Sequence, residues 1–519
     1  MKRIGLIIVA ALLSCCLNAQ DICMTTDRNT YVAGDNLWIS IFTADTDAKT
    51  AYIELRSAQA CCQCSKVALI DGRGGGLIRL LPSLPTGNYE LSAYLKGVDN
   101  KEYKKNISVY NVLSTARGDE VVVTEETLSP ASFEEKQAKG IEVSFKDGKL
   151  AVSNLGDEKA LLAASIYDYD ELETIPAEAV LISRGGDFHS EDFEGESVTL
   201  KFGCSSDISQ LIGKQVTISF MGPDNDVYVA NIDKNGMANI HTRNIYGKKD
   251  MFCEISDIPE DLMWSVEVVD PFKRKAASYI APLQLSKDMA DALRERSLAM
   301  QLDLKYSPDT IYRQLPMRAN SFLSEPDITY ILDDYTRFPT FSEIFIEYVS
   351  EVQSRKVDGK PQIRVLLRDF YKEYNYSRTP AMVIIDGVPV LDHQAVLDFD
   401  PLLVERLDIY NTSFSLGSAI AEGVIVLRTY KGDLGQKRFP SNVKVLQFDG
   451  CAVPLAVDEF GYDREQGDFR KTLYWNPAIE LNSGETIEIN LEKPSYKGNF
   501  VLKVDGICGN EPVSARYIL

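Results

Sequence analysis

The sequence predicts a mainly β, multidomain protein. Three observations support this prediction: a length of 519 residues, long segments in which apolar and polar residues alternate, and Gly, Asp, Asn and Pro turn signals between those segments. Domains commonly contain ~100–200 residues, so several hydrophobic cores are expected. Alternation with a period of two is typical of half-buried strands, and evenly spaced short strands are typical of β-sandwiches.

The first residues are typical of an exported protein. Two basic residues precede an apolar run from Ile4 to Leu13, and small residues follow it. This pattern predicts a secretory signal peptide over residues 1–19, because the apolar run is shorter than the roughly 20 residues of a membrane-spanning helix. The tetrapeptide that ends at Cys15 also resembles a bacterial lipobox. Cleavage after residue 19 and lipidation at Cys15 or Cys16 therefore both remain open.

Residues 20–115 form the first predicted sandwich. Residues from Leu37 to Phe42 alternate between two faces, and a Pro-Thr-Gly turn near residue 86 leads into a second alternating segment. The segments 31–35 and 84–91 resemble the opening and closing strands of macroglobulin-type domains. This resemblance covers roughly residues 21–112 and implies a seven-stranded sandwich.

Two further sandwiches are predicted, over residues 116–195 and 196–285. In the first of these, residues 141–146 alternate before an Asp-Gly pair that is typical of a two-residue hairpin. In the second, several short apolar segments are separated by Gly, Asp and Asn turns. Both resemble further macroglobulin-like or Ig-like domains.

The composition becomes helical after Ser286. The segment up to about Tyr306 contains neither Gly nor Pro, which predicts a helical connector over residues 286–322. Another helix is predicted to begin at Thr340, where Thr340 and Glu343 fit a capping box before an apolar stripe.

Residues 323–433 contain the most specific motifs of the chain. A short apolar run leads into an Asp-Gly-Val-Pro turn, and two strand-like segments follow on either side of Gly417. This order resembles the plug domain of TonB-dependent outer-membrane receptors, which implies an α+β plug-like domain. Its strands are expected to be structural and its loops to bind a partner. The candidate binding residues are Asp386, Gly387, Val388, Pro389, Phe414 and Glu422.

The segment that follows the plug-like domain differs from a receptor. It is too short for a 22-stranded barrel, which requires more than ~200 residues. Alternating segments within residues 434–519 instead predict a C-terminal β-sandwich. The combination of macroglobulin-like domains with a plug-like domain and no barrel resembles exported envelope proteins of the Bacteroidetes type, and it implies an adaptor or a binding platform.

Eight cysteines follow the predicted signal peptide, and they fall into local groups. Export favours oxidation, so the disulfides Cys204–Cys253 and Cys451–Cys508 are expected, each within one domain. The first group leaves the connectivity open and permits a metal site as an alternative. Its members are Cys23, Cys61, Cys62 and Cys64. No metal is assigned.

The sequence contains no recognisable catalytic motif, and no cofactor is expected. Nucleophile-elbow, zinc-protease and phosphate-loop motifs are absent. His189, His241 and His393 lack a second histidine at metal-ligand spacing and are expected at the surface. The chain is therefore predicted not to be an enzyme.

The net charge of the chain disfavours two classes of binding partner. The formal net charge of −21 disfavours nucleic acid and direct adhesion to anionic lipid. We expect a non-catalytic binding or adaptor protein of the cell envelope, in the periplasm, at the outer membrane or at the cell surface. Its expected partner is an outer-membrane or periplasmic protein, with membrane contact only through a lipid anchor.

Two alternatives to the adaptor prediction remain open. One is a macroglobulin-type protease-binding protein, although no cysteine begins the Cys-x-Glu-Gln sequence of a thioester. The other is a surface glycan-binding or peptide-binding lipoprotein that uses Trp38, Tyr474 and Trp475.

Overall fold

The structure is a computed structural model, and it divides the chain into two compact units. Unit 1 comprises Met1–Glu196, Phe272–Met317 and Cys451–Leu519, and unit 2 comprises Ser197–Pro271 and Arg318–Gly450. The residues described are 22–43, 45–98, 102–118, 120–128, 133, 135–146, 149–173, 190–224, 226–243, 245–259, 261–306, 312–317, 322–323, 325–368, 374–434, 443–457, 468–490, 496–509 and 511–519. The predicted signal peptide, Cys15, Cys16 and His189 lie outside them.

The described residues confirm a mainly β, multidomain fold. The strands are β1 (Ile22–Thr26), β2 (Thr30–Val32), β3 (Asn36–Thr43), β4 (Thr50–Arg56), β5 (Cys61–Ala68), β6 (Arg73–Arg79), β7 (Gly87–Tyr94), β8 (Tyr103–Tyr110), β9 (Val121–Thr124), β10 (Ile141–Lys146), β11 (Lys149–Asn154), β12 (Ala160–Asp168), β13 (Glu196–Cys204), β14 (Gln215–Phe220), β15 (Val227–Asn231), β16 (Met237–Thr242), β17 (Lys248–Ile255), β18 (Trp264–Val268), β19 (Leu283–Ser286), β20 (Tyr312–Gln314), β21 (Ile328–Ile331), β22 (Val352–Val357), β23 (Lys360–Arg368), β24 (Tyr374–Tyr376), β25 (Met382–Ile385), β26 (Val388–Pro389), β27 (Val404–Leu416), β28 (Ala419–Thr429), β29 (Val443–Asp449), β30 (Leu455–Val457), β31 (Thr472–Leu481), β32 (Thr486–Asn490), β33 (Phe500–Cys508) and β34 (Glu511–Ile518). The α-helices are α1 (Ala290–Tyr306), α2 (Phe341–Glu347) and α3 (His393–Leu397).

In the described part of the chain, no helix has the length and apolar character needed to span a membrane.

The first sandwich of unit 1 contains strands β1 to β8. Its two sheets have the strand orders β1-β3-β6 and β2-β8-β7-β4-β5. Inward-facing apolar residues of both sheets, among them Ile39, Leu91 and Ile107, form one core. Alternation with a period of two places these side chains between the sheets, as the sequence pattern predicts.

The second sandwich of unit 1 is built from two distant parts of the chain. Its sheets have the orders β10-β11-β32 and β20-β30-β31-β12-β33-β34. Strand β12 lies between β31 and β33, so that Ala160 pairs with both Leu481 and Cys508. The prediction of separate sandwiches over 116–195 and 434–519 is therefore wrong. Strands β10 to β12 and the later strands β31 to β34 share the two sheets and one apolar core.

Helix α1 is packed into unit 1 through its one buried arginine. Arg296 donates from Nε and Nη2 to the Asp170 carboxylate, at 2.5 and 2.8 Å, and from Nη2 to Glu173 at 3.0 Å. It also donates to the backbone oxygen of Thr30 at 2.8 Å. The helix predicted as a connector is thus anchored to unit 1 by buried charge-assisted hydrogen bonds.

Unit 2 contains the third sandwich. Its sheets have the orders β16-β13-β18 and β15-β14-β17-β29, and Val216, Ile218 and Phe220 lie in its core. Strand β29 lies within the segment predicted to start the C-terminal sandwich, yet it pairs with β17 along seven positions. This strand covers an edge of β17 that would otherwise leave its backbone groups unpaired.

The described residues of the segment 323–433, which lies in unit 2, form an α+β arrangement. A five-stranded sheet has the order β21-β27-β28-β25-β26, and a smaller sheet has the order β22-β23-β24. Strand β25 runs parallel to β28, and Ile384 pairs with Val426. Thr340 caps helix α2, because its Oγ1 accepts from the Glu343 backbone at 3.3 Å. Only this half of the expected capping box is present, because Glu343 Oε2 accepts from Thr340 Oγ1 at 2.8 Å and not from the Thr340 backbone.

One buried carboxyl group in the third sandwich leads to a prediction about pH. Asp226 is buried beside Asp224, and burial together with that negative charge raises the pKa of Asp226 to about 6. Ionisation of this carboxyl therefore opposes folding as the pH rises from the ordinary aspartate range to above 6. We expect Asp226→Asn to stabilise unit 2 by about 2 kcal/mol at pH 7.5 and to have little effect near pH 4.

Urea denaturation at both pH values measures this difference. Asp224→Asn, at an exposed position, is the matched control and should give a smaller gain at pH 7.5. An equal gain from Asp226→Asn at both pH values would contradict the assignment of the effect to ionisation.

Candidate functional site

The Asp386-Gly387 turn, predicted as a binding loop, is buried and connects two strand ends through hydrogen bonds. Both residues have positive φ, 48° and 88°, and they connect β25 to β26 as a two-residue hairpin. The Asp386 carboxylate accepts from the Thr429 backbone at 2.8 Å, from Thr429 Oγ1 at 2.6 Å and from the Leu434 backbone at 2.8 Å. These bonds tie the end of β25 to the end of β28.

The same turn packs against the third sandwich inside unit 2. A Cβ on Gly387 would lie 2.6 Å from the backbone oxygen of Gly222, closer than real Cβ contacts allow. The Gly222 backbone donates to the Asp386 oxygen at 3.1 Å, and Val388 and Pro389 are buried. The prediction that residues 386–389 bind a partner is therefore wrong, because their surface is already covered by the protein itself.

Phe414 and Glu422 lie on opposite faces of the hairpin formed by β27 and β28. Phe414 is half-buried, with its ring 5.9 Å from Phe322 and 6.1 Å from Tyr410. The Glu422 carboxylate accepts from the Thr379 backbone at 3.0 Å and from the Arg378 backbone at 2.7 Å. These bonds hold the pKa of Glu422 below its ordinary value. Glu422 is accessible, whereas Phe414 belongs to the packed side.

The hairpin extends beyond the rest of its sheet. Strand β21 pairs with β27 only over residues 406–409, and β25 pairs with β28 only over residues 424–427. Beyond both pairings, at residues 410–423, the hairpin is a two-stranded ribbon among the residues that the structure describes. Its register places Ser413 opposite Glu422 and Ser415 opposite Ile420. These four residues share one face, which we call the outer hairpin face.

The opposite face of the ribbon is packed on the third sandwich. Leu416 and Ala421 are buried in a cluster with Val227 and Val229. Gly417, at φ 59°, would place a Cβ 2.3 Å from the Val229 backbone oxygen, so only glycine fits this close approach. The packing fixes the ribbon in place and leaves the outer hairpin face exposed, with Ile420 72% accessible.

The two histidines that the structure describes, His241 and His393, make hydrogen-bond contacts within the protein. The backbone of Ile363 donates to His393 Nδ1 at 2.7 Å, and His393 Nε2 lies 3.1 Å from the Ala381 oxygen. Burial lowers the pKa of His393. The expectation of a solvated His393 is wrong, because this ring joins two backbone segments. His241 lies in β16, with its Nδ1 3.2 Å from Ser197 Oγ.

The described cysteines are all free thiols. Neither predicted pair is joined. Cys204 lies on β13 beside Ser206, whereas Cys253 lies in the facing sheet on β17. Cys451 is buried, and Cys508 Sγ lies beside Asn154 and Glu158 instead. The predictions of the disulfides Cys204–Cys253 and Cys451–Cys508 are therefore wrong. The first two cysteines lie in facing sheets, and residues 434–519 do not form the separate domain that would bring the other two together.

The aromatic residues proposed for glycan binding are in the cores. Trp38, Tyr474 and Trp475 are all buried. An open cleft of about 660 Å³ in unit 1 is lined by other residues, including Tyr169, Tyr496, Asp168 and Asp170.

Two carboxylates that line this cleft are already engaged. Asp168 accepts from Lys471 Nζ at 2.7 Å, and Asp170 accepts from Arg296. These ion pairs stabilise unit 1. The candidate site is the outer hairpin face, where Ile420 is 72% accessible.

Comparison with known proteins gives no assignment by sequence and weak structural similarity. No protein-family model matches the chain, and no curated protein matches it. The native conformation of Escherichia coli α2-macroglobulin aligns at 7% identity over 96% of this chain and 39% of that chain, with a TM-score of 0.23. The trypsin-activated form aligns at 8% identity over 96% and 41%, with a TM-score of 0.23. Salmonella α2-macroglobulin reacted with methylamine aligns at 9% identity over 96% and 23%, with a TM-score of 0.16. The chain spans less than half the length of these proteins.

Proposed function

We propose that this chain is a non-catalytic binding protein of the cell envelope that engages a protein partner through the outer hairpin face of unit 2. The observation that carries the proposal is the ribbon of β27 and β28, which extends past its neighbouring strands and exposes Ile420. The resemblance of the residue 323–433 motifs to a receptor plug and the predicted signal peptide support an envelope protein. The adaptor role and the location are parts of this proposal.

The chemistry of the outer hairpin face suits a protein partner. Ile420 supplies an apolar contact, Ser413 and Ser415 supply hydroxyl groups, and Glu422 supplies a carboxylate held in position by two backbone donors. An apolar centre with a polar rim is the common composition of protein interfaces. The backbone of the ribbon also offers an edge to which an extended segment could add.

The packed side of the ribbon makes this surface suitable for binding. Leu416 and Ala421 hold the ribbon on the sandwich, so the outer face is presented without a folding step. A surface that is already ordered loses little conformational entropy on binding, which favours affinity.

Site-specific photo-crosslinking in intact cells tests the proposal. With a photoreactive amino acid at position 420, we expect a discrete adduct with one envelope protein. Position 346 on α2 is the matched control, since Ile346 is 81% accessible and lies outside the ribbon. The same adduct from both positions, or none from position 420, would contradict the proposed surface.

A substitution pair separates binding from folding. Without the photoreactive residue, we expect Ile420→Lys to reduce at least tenfold the amount of the partner, identified by crosslinking, that is recovered with the protein. The melting temperature of the variant should stay within about 2 °C of that of the unchanged protein. Ile346→Lys should change neither quantity. Unchanged recovery with Ile420→Lys would show that the ribbon is only a structural support.

A further inference from the structure

A β-bulge brings two thiols of strand β5 to the same face. Residues three apart in a regular strand point to opposite faces, so Cys61 and Cys64 would normally be separated. In the pairing of β5 with β4, Cys64 lies opposite Glu54 and Cys61 lies opposite Arg56, with a register shift between these pairs. Glu54 and Arg56 are two apart and share a face, and the cysteines opposite them therefore share it too.

The two sulfur atoms are in contact. Cys61 Sγ lies 3.3 Å from Cys64 Sγ, and both residues are half-buried on a strand at the edge of its sheet. Cys62 occupies the extra position of the bulge and packs against the core cluster of the first sandwich instead. Of the three neighbouring cysteines, the structure thus pairs the first and third and keeps the second apart.

Binding of a metal ion by the two thiols is the obvious alternative. The neighbouring side chains disfavour such a site. Glu54 is the third potential donor within reach among the described residues. Its Oε2 accepts from Arg56 Nε at 2.8 Å, and its Oε1 accepts from Tyr94 at 2.8 Å and from the Arg274 backbone at 2.9 Å. Both oxygens are therefore occupied. Two thiols alone fall short of the four ligands of a structural zinc site, and Cys23 is absent from the group.

We propose that Cys61 and Cys64 form a reversible intrastrand disulfide by exchange with a disulfide reagent, a small molecule or an oxidoreductase, and that Cys62 stays a free thiol. One cysteine, as thiolate, attacks the reagent disulfide and releases one reagent thiol. The second cysteine then attacks the mixed disulfide and releases the other. Two cysteine S–H bonds are lost, one S–S bond forms, and the reagent is reduced to two thiols.

Glutathione redox buffers test the proposal on the full-length chain. After equilibration and alkylation, the tryptic peptide of residues 57–66 should carry three alkyl groups when reduced and one, on Cys62, when oxidised. Because the exchange consumes one glutathione disulfide and releases two thiols, a roughly hundredfold change in the ratio [GSH]²/[GSSG] should convert about one tenth oxidised to nine tenths. Fragmentation of the peptide locates the remaining alkyl group.

Variants distinguish the pair from its neighbour. Cys62→Ser should preserve the bridge, whereas Cys61→Ser and Cys64→Ser should each abolish it and leave the remaining thiol of the pair as a mixed disulfide with glutathione. An alkyl group on Cys61 or Cys64 in the oxidised peptide would overturn the assignment. So would three alkyl groups at every buffer ratio, or one equivalent of zinc that the reduced protein retains through desalting.

Discussion

Ile384→Asp is expected to unfold unit 2 under conditions in which the unchanged protein is stable. Ile384 is fully buried in β25, where it pairs with Val426 and packs in a cluster with Val424 and Tyr410. An aspartate there would be an unpaired charge in an apolar environment, which costs at least about 4 kcal/mol. Val424→Asp should have the same effect, because Val424 is equally buried in the same cluster.

Urea denaturation followed by circular dichroism measures this loss. Ile346→Asp is the matched control, since the same substitution at an exposed position of α2 should change the free energy of unfolding by less than about 0.5 kcal/mol. If Ile384→Asp kept the denaturation midpoint of the unchanged protein, the placement of the Ile384 side chain in the core of unit 2 would be wrong.

Arg56→Met is expected to destabilise the first sandwich by about 3–5 kcal/mol. Arg56 is 1% accessible, and it donates from Nε to Glu54 at 2.8 Å and from Nη1 to Glu102 at 2.7 Å. Glu90 lies 3.5 Å from the same Nη1. Methionine has a similar length and no charge, so three carboxylates would lose their shared cation.

The loss of stability caused by Arg56→Met should depend on pH. Burial alone would raise the pKa of Glu102, but hydrogen bonds from Arg56 and Lys273 outweigh it and lower the pKa to about 2. The stability from this carboxylate is therefore present above the ordinary glutamate pKa and is lost as the pH falls towards 2. Arg56→Met should accordingly cost more at pH 7 than at pH 3.

Thermal melts at the two pH values test the dependence. Arg294→Met is the control, because Arg294 pairs with Asp291 at 2.7 Å in full exposure to solvent and such pairs contribute little. Equal losses from Arg56→Met and Arg294→Met would rule out a central role for the buried arginine.

Local features of this fold could be predicted from the sequence. Residues 141–146 show the alternation of a strand, Thr340 caps helix α2 at the expected position, and Asp386-Gly387 makes the expected two-residue turn. Each of these depends on neighbours within a few positions, for which propensity and spacing carry the information.

Features that depend on distant partners could not be predicted. Nothing in residues 149–154 indicates that β11 pairs with β32, since many alternating strands could occupy that edge. The binding role assigned to Asp386 failed for the same reason, because an exposed turn and a turn packed on Gly222 have the same sequence signature. The outer hairpin face follows only from the register of β27 and β28, which places Glu422 on the exposed face and Phe414 on the packed face.

The thiol pair illustrates the effect of a single inserted residue. The spacing of Cys61 and Cys64 in a strand predicts opposite faces, and only the bulge at Cys62 reverses this. A bulge has no reliable sequence signal, so the sequence alone does not predict that these two thiols meet.

The divided second sandwich has a consequence for biosynthesis. Asn154 and Cys508 meet although 354 positions separate them in the chain. During translation at about 5–20 residues per second, β11 and β12 would wait roughly 20–70 s for their partners. Over that interval their apolar faces and open edges are available for aggregation, so this sandwich should be the slowest part of the chain to mature and the part most dependent on a holding chaperone.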